Sequence, residues 1–565
     1  MSYRRVPPES PYFVFRQGTQ RLRSEEVKAE GVIVARGLSN FMKPALGPKG
    51  VNKLLITELK DVIVTRDGAR MLESMSFSHP IAWLLQDAAK SVEKSVGDGS
   101  KTAIILIGEL AKRLASIINP KKKNQICMLV SKCKVAYEMA LKKLRELSRP
   151  FDFYDYSVMK KIAKTILSSR GIEMAVDYLA DLAVKAVLHV GEMRDGRICF
   201  NPDDVQIMKK NVGTLTESEL IFGAVIDRSS DRGIMHLLMP KVVRKVKVAL
   251  INTAIKPTDK FKRMRLYKRE IIFRDTKAME DILKEHEKIA VEMARKIILT
   301  GAGAVFAKRP IHMTTAYELA KAGIPAVERL VSAKRVELVA KATGAKPVAR
   351  LADLSEEDLG WAELIEERKI GKDQVIVIEG GPRSRVVTIL LKSSSERLLD
   401  EAEHALKDVI TAFAALAKKP AYVPGGGAIE EAISFFLTKE AEKQPAWKQM
   451  AMYAFASALE QIPIMLATNS GMDPINAITE LRSKHAEGLH EYGIDAYSGR
   501  VADMYELGVI EPLVVKEQIL KTAYETTAMI LRIDEIIDRR MARRYLEDEL
   551  KELKEKKHEE SRIPD

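Results

Sequence analysis

A chain of 565 residues is long enough for three or four domains at about 150 residues each, so it needs no covalent staples to hold a core. Three cysteines, Cys127, Cys133 and Cys199, without a C-x-x-C pair or a Cys/His cluster of zinc spacing, exclude a disulfide scaffold and a zinc module and point to a reducing, cytoplasmic setting. The balance of 92 basic against 78 acidic residues, a formal charge of +14, admits an anionic partner such as RNA without requiring one, because a Lys-, Arg- and Glu-rich composition is also that of heat-adapted proteins.

The N-terminal Met1-Ser2-Tyr3-Arg4-Arg5 leads into Pro7-Pro8 rather than an apolar signal segment. No apolar run approaches the roughly 18–20 residues that a membrane span requires, so no membrane is expected. No fixed-period repeat is present, which excludes solenoids and propellers. From about 20 to 150, and again from about 410 to 560, the chain reads as long amphipathic helices. Between them, short β-branched strands alternate with helices, as at 247–251, 374–378 and 385–391. Two helical arms around an α/β insert predict one domain built from both chain ends.

Within the first arm, Leu54-Leu55-Ile56 and Val62-Ile63-Val64 read as a hairpin. Ile81, Leu84, Leu85, Ala88 and Val92 then recur at three- and four-residue spacing and define a helix with one buried stripe. Gly97-Asp98-Gly99-Ser100 breaks it, and a second apolar helix starts at once with Thr102, Ala103, Ile104 and Ile107. Unpaired N–H groups at a helix start, with glycines that let a phosphate reach the backbone, suit a nucleotide, and the Asp98 carboxylate suits Mg²⁺. G-D-G-S is also an ordinary turn, and the loop alone leaves both readings open.

The loop is one of many ordered matches. Gln17-Gly18-Thr19-Gln20-Arg21, Leu46-Gly47-Pro48-Lys49-Gly50, Thr65-Arg66-Asp67-Gly68, Gly97-Asp98-Gly99-Ser100-Lys101-Thr102, Lys341-Ala342-Thr343-Gly344-Ala345, Gly425-Gly426-Gly427, Glu506-Leu507-Gly508-Val509-Ile510-Glu511-Pro512 and Met529-Ile530-Leu531-Arg532-Ile533-Asp534 occur in order along nearly the whole chain. In these the sequence resembles the group II chaperonins, the archaeal thermosome and eukaryotic cytosolic chaperonin subunits, in the manner of a divergent archaeal paralogue. The resemblance implies an α/β multidomain fold: a mostly α-helical equatorial ATPase domain from 1–150 and 417–565, an intermediate domain from 151–224 and 389–416, and an α/β apical substrate-binding domain over 225–388 with a helical lid protrusion near 256–285. It also implies a subunit of a double ring, homo- or hetero-oligomeric with sister subunits, that encloses unfolded protein clients and is driven by hydrolysis of ATP to ADP with Mg²⁺. RNA is not favoured as a partner.

By the same resemblance Asp98 carries the Mg²⁺, Asp67 faces the γ-phosphate, and Asp408 orients the attacking water, a role that alignment rather than basicity fulfils. Gly47, Pro48, Gly99, Ser100, Lys101, Thr102, Ser168, Ser169, Gly425 and Gly426 line the phosphates, with Asp495 and Glu511 at the ribose and adenine end. Departures from the family pattern are Lys101 for a threonine, Arg66 for an asparagine and Arg170 for a lysine. Three cations near one triphosphate predict tight nucleotide binding with slow turnover, and hence an alternative: a structural ring subunit that binds nucleotide and scarcely hydrolyses it. Ser393-Ser394-Ser395 replaces a glycine-containing turn and reads either as an altered hinge or as a helix N-cap. The basic run from Lys256 to Arg269, with one acid, Asp259, suits an acidic client, a partner subunit's acidic lid, RNA or plain solvation, and the tail from Met541, with seven basic and eight acidic residues, suits a solvated helix or a frayed tail.

Overall fold

A computed structural model describes residues 20–23, 25–58, 60–117, 123–194, 197–227, 239–257, 276–330, 332–381 and 384–538. The chain divides into two compact units, one from 1–173 and 419–565, the other from 174–418. Most of the basic run, 258–269, and the charged tail from 539 fall outside the described residues.

The first unit is helical because its long segments repeat apolar residues at helical spacing and are stopped by glycine. Helix Pro80–Val96 begins on His79, whose Nδ1 accepts from Ile81 N–H, and ends at Gly97 with φ 75°. Helix Ser100–Ile117 follows and is the centre of the unit. It packs against Glu25–Met42, Leu513–Arg532, Ala446–Leu459 and Pro80–Val96, and Ile104, Ile105, Ile107 and Leu110 on it are buried. Both chain arms close on each other: strand Gln20–Arg23 pairs antiparallel with Glu535–Asp538, Gln20 opposite Asp538. Antiparallel strands Lys53–Ile56 and Val62–Thr65 form the expected hairpin, and Ala421–Pro424 lies between Ile510–Pro512 and Arg149–Pro150.

One expectation is corrected here. The 24-residue stretch Ala446–Asn469 is long and apolar enough, by length and composition, to cross a membrane, and 61% of its most apolar 18 residues are buried inside the fold. Lys448 and Glu460 interrupt the run in sequence, yet the average stays apolar because helices Ala446–Leu459 and Gln461–Asn469 lie in a protein core, where most of their surface meets other helices.

In the second unit, six strands run in the order Ala326–Val327, Ala304–Ala307, Val242–Ile251, Gly360–Ile370, Asp373–Gly380, Gly223–Asp227. Alternation decides which residues face which side. Val248, Leu250 and Phe306 join one core cluster, Ala249, Ile251 and Val305 the other. A sheet covered on both faces explains why these strands read as continuous apolar runs. A smaller sheet places Val387–Lys392 between Val205–Lys210 and Glu219–Ile221. Helix Glu396–Lys418 follows. Ser393 Oγ accepts from Ser395 N–H at 3.2 Å and Ser395 Oγ from Leu398 N–H at 3.4 Å, so the serines serve as the helix start.

Candidate functional site

The site in the first unit grows from four backbone features. Gly97 and Gly99 both take positive φ, 75° and 91°, and a Cβ on Gly99 would stand 2.5 Å from Ile519 Cδ1. Only glycine lets this loop lie against helix Leu513–Arg532 and open directly onto helix Ser100–Ile117, whose first residues, Ser100 and Lys101, are buried. Next to it, Asp67 caps helix Gly68–Glu73 by accepting from Arg70 N–H at 2.8 Å. The two segments touch, since a Cβ on Gly68 would fall 2.9 Å from both Ser100 Oγ and Lys101 N.

Gly47, at φ 82°, turns the third segment. Asn469 holds that turn by donating from Nδ2 to the carbonyls of Lys43 and Leu46, each at 2.9 Å. The fourth is Gly425-Gly426-Gly427. Gly425 N–H donates to Val509 O and Ile494 N–H donates to Gly426 O, while Gly426 and Gly427 turn through φ 60° and 77° into helix Ala428–Ala441.

Charges then fill the frame. Arg170, 2% exposed at its side chain, pairs through Nη1 with Asp67 and through Nη2 with Asp98 Oδ1 at 3.4 Å. Burial pushes the Asp98 carboxyl up, against the pull of Lys101, the Gly99 N–H and Lys516. Glu93, with a carboxylate oxygen within 4.8 Å of Asp67, is pushed up to about 7 by burial and then by Glu73 and Asp98, with Arg70 opposing. Lys516 bridges Glu430 Oε1 at 2.7 Å and Glu511 Oε2 at 2.8 Å.

The three expected cations are not aligned on one site. Arg66 is buried and spends its guanidinium on the carbonyls of Pro48 and Gly50, at 2.8 and 3.1 Å, on Ser168 O at 3.3 Å and on Glu173 at 2.9 Å. It clamps the Gly47-Pro48 turn from behind. Lys101 reaches back to Ala45 O at 3.2 Å and is buried rather than solvated. Arg170 alone of the three lies between the acidic residues. Ser168 and Ser169 donate their hydroxyls to Thr165 O and Ile166 O, so what this turn directs to the site is Arg170.

Thr102 follows on the same helix start. Asp495 is held within its own turn: Oδ1 accepts from Tyr497 N–H and Ser498 N–H and Oδ2 from the Ser498 hydroxyl, which keeps the carboxyl low despite burial. Glu511 stands opposite Val423 in the three-stranded sheet, with Oε1 3.0 Å from where a Gly425 Cβ would lie. Asp408 stands on helix Glu396–Lys418 in the second unit. Sequence reasoning did not select Glu93, Glu430, Asn469 or Lys516. For Lys516 the only local signal was its place five residues after Glu511 in a sheet-to-helix turn.

Within the first unit, Asp67, Glu93 and Asp98 around Arg170, and Glu430 and Glu511 around Lys516, make a glycine-bounded cradle rich in carboxylates. A sequence profile of the TCP-1/cpn60 chaperonin family matches residues 38–541. The chain belongs to that family. Among similar chaperonins, a thermosome subunit of Methanopyrus kandleri is 40% identical over 525 residues, 92% of this chain and 93% of that one. A thermosome subunit beta of Sulfurisphaera tokodaii is 36% identical, covering 94% of each chain. A thermosome subunit alpha of Archaeoglobus fulgidus is 37% identical over 94% of this chain and 95% of that one. This chaperonin is therefore a group II subunit, as the ordered motifs imply, and members of its family are in general ATPases.

Proposed function

We propose that this chaperonin subunit hydrolyses ATP in its first unit and, assembled with copies of itself or sister subunits into a cytoplasmic double ring, uses that hydrolysis to enclose and release unfolded proteins. The observation that carries the reading is the Gly97–Gly99 loop opening onto the buried start of helix Ser100–Ile117, with Asp98 and Asp67 gathered around one guanidinium. Backbone N–H groups at a helix start, freed of side-chain bulk by glycine, bind phosphate oxygens. The same reading divides the chain into equatorial segments 1–150 and 417–565, intermediate segments 151–224 and 389–416, and an apical segment 225–388.

The residues present fit a divalent cation. Asp98 and Asp67 offer hard oxygen donors, and their shared hold on Arg170 marks a place where positive charge is already accommodated. Mg²⁺, when bound, would be held by Asp98 and would neutralise phosphate charge. The chain's own contribution is positional. Asn469 and Arg66 fix the Gly47-Pro48 turn, Gly425 and Gly426 bring backbone close to the ligand, Glu511 and Asp495 serve the ribose and adenine end, and Asp67 faces the terminal phosphate. Asp408 is assigned, on the resemblance, to align the attacking water, which a loose phosphoryl-transfer transition state needs more than a strong base.

A second reading, a subunit that binds nucleotide but scarcely turns it over, draws support from Arg170, which pairs with both carboxylates. Steady-state Mg²⁺-ATPase of assembled rings, wild type against Asp408→Ala with native mass as the control for assembly, separates the two. Activity lost in the variant with rings intact supports the ATPase. Intact wild-type rings that never hydrolyse ATP, even with sister subunits supplied, overturn it in favour of the second reading.

A further inference from the structure

Lys516 is a cation of the cradle that no expectation used, and its surroundings are unusual. It is 6% exposed, and its single ammonium serves two carboxylates, the buried Glu430 at 2.7 Å and the half-buried Glu511 at 2.8 Å. Glu430 Oε2 has no hydrogen-bond partner among the described residues, so the pair of acids depends on this lysine. Asp98 also feels its charge. The flanking residues Val515 and Ile519 are those against which Gly99 packs, and Glu430 sits in the first turn after Gly425-Gly426-Gly427. Lys516 thus stands where the Asp98 loop, the triple-glycine turn and the Glu511 strand meet.

Occupying Oε2 of Glu511 has a directional consequence. The other oxygen, Oε1, is left against Gly425, so close that a side chain at 425 would push it aside. A carboxylate oxygen so presented accepts a hydrogen bond and cannot donate one while ionised. We infer that Lys516 is a positioning residue for sugar recognition: by holding one oxygen of Glu511 it aims the other at a ribose hydroxyl, and so makes the site select ribonucleotides over deoxynucleotides. The inference rests on the nucleotide reading given above and adds to it a residue and a specificity.

The physical basis is that a half-buried acceptor aimed at a hydroxyl and covered by the bound ligand is left unpaired when the hydroxyl is missing, a loss larger for a charged acceptor than for a neutral one. Without Lys516 the two carboxylates lose the ammonium they share and repel each other, and Glu511 loses its aim.

Binding of ADP, 2′-deoxy-ADP and 3′-deoxy-ADP to purified rings, measured by calorimetry, tests this. For the wild type at least one deoxynucleotide should bind on the order of tenfold more weakly than ADP. Lys516→Met should bring that ratio close to one, and Lys516→Arg, which keeps the charge, should retain most of it. A general loss of stability would weaken all three ligands together and leave the ratio unmoved. Wild-type rings that bind ADP and both deoxynucleotides alike overturn the inference without any variant, as does Lys516→Met with an unchanged ratio. If Lys516→Met does not assemble, a Lys516→Arg ratio equal to the wild type supports charge-based aiming and a ratio of one overturns it. Wild-type rings that bind no ADP instead overturn the nucleotide reading itself.

Discussion

Arg66 shows how a single departure from a family pattern changes meaning once its partners are known. Its guanidinium satisfies three backbone carbonyls on two segments, Pro48 and Gly50 in one, Ser168 in the other, and adds an ion pair to Glu173. Arg66→Ala would leave those carbonyls without a donor, at about 1–3 kcal/mol for each that stays buried. The expected result is a lower melting temperature and weaker ADP binding, because the Gly47-Pro48 turn loses its support. Arg66→Lys should rescue little, since one ammonium does not reproduce a planar fork that spans four acceptors; a Lys variant with wild-type affinity would mean the turn is held by other contacts.

Glu431 poses a different residue-scale problem. It is 1% exposed, its Oε2 has no hydrogen-bond partner among the described residues, and burial followed by Glu460 pushes it up to about 8, with Arg482 opposing. The folded chain therefore keeps a proton that the unfolded chain releases near pH 4.5. Stability from this group is fully present below that value, declines as pH rises, and is gone once pH passes about 8, with a slope of at most about 1.4 kcal/mol per pH unit. Glu431→Gln should flatten this part of the melting-temperature profile between pH 5 and 8 and be the more stable protein at pH 8. Parallel profiles for the two proteins would show that Glu431 stays ionised.

At the scale of elements, the glycine turns hold the cradle by contact as well as by conformation. Gly427 and Gly471 have nearly the same φ, 77° and 80°, but a Cβ on Gly427 meets Pro463 at 2.9–3.2 Å whereas one on Gly471 meets nothing within 4 Å. Alanine at either position carries a left-handed penalty of about 1–2 kcal/mol. At Gly427 overpacking adds about 1–3 kcal/mol. Thermal unfolding of the two variants side by side should therefore rank Gly427→Ala well below Gly471→Ala; equal shifts would mean the start of helix Ala428–Ala441 moves freely away from Gln461–Asn469.

Taken as a whole molecule, the first unit is assembled from segments hundreds of residues apart. Strands Gln20–Arg23 and Glu535–Asp538 tie its two arms together, and helix Ser100–Ile117 packs on Leu513–Arg532. A chain lacking residues 1–24 would leave the edge of Glu535–Asp538 unpaired. The expected outcome, read by native mass and calorimetry, is a lower melting temperature and a smaller yield of assembled rings. Unchanged values would show that the helical packing alone joins the arms.

The sequence by itself determined what is local and what is patterned. Three-to-four spacing drew the helix that ends at Gly97, glycine marked its stop and the next helix's start, β-branched runs drew the strands of the second unit, and the ordered motifs named the family. Each of those signals is carried by neighbours in the chain, so it survives without a fold. The pairings that make the site were decided only by tertiary structure. Arg170 and Asp98 are 72 positions apart, Lys516 and Glu430 are 86 apart, and Arg66 turned from an expected phosphate ligand into a clamp because packing put carbonyls within its reach. A long cation has many possible partners and no periodicity; which one it takes depends on the crossing of helices that bury it.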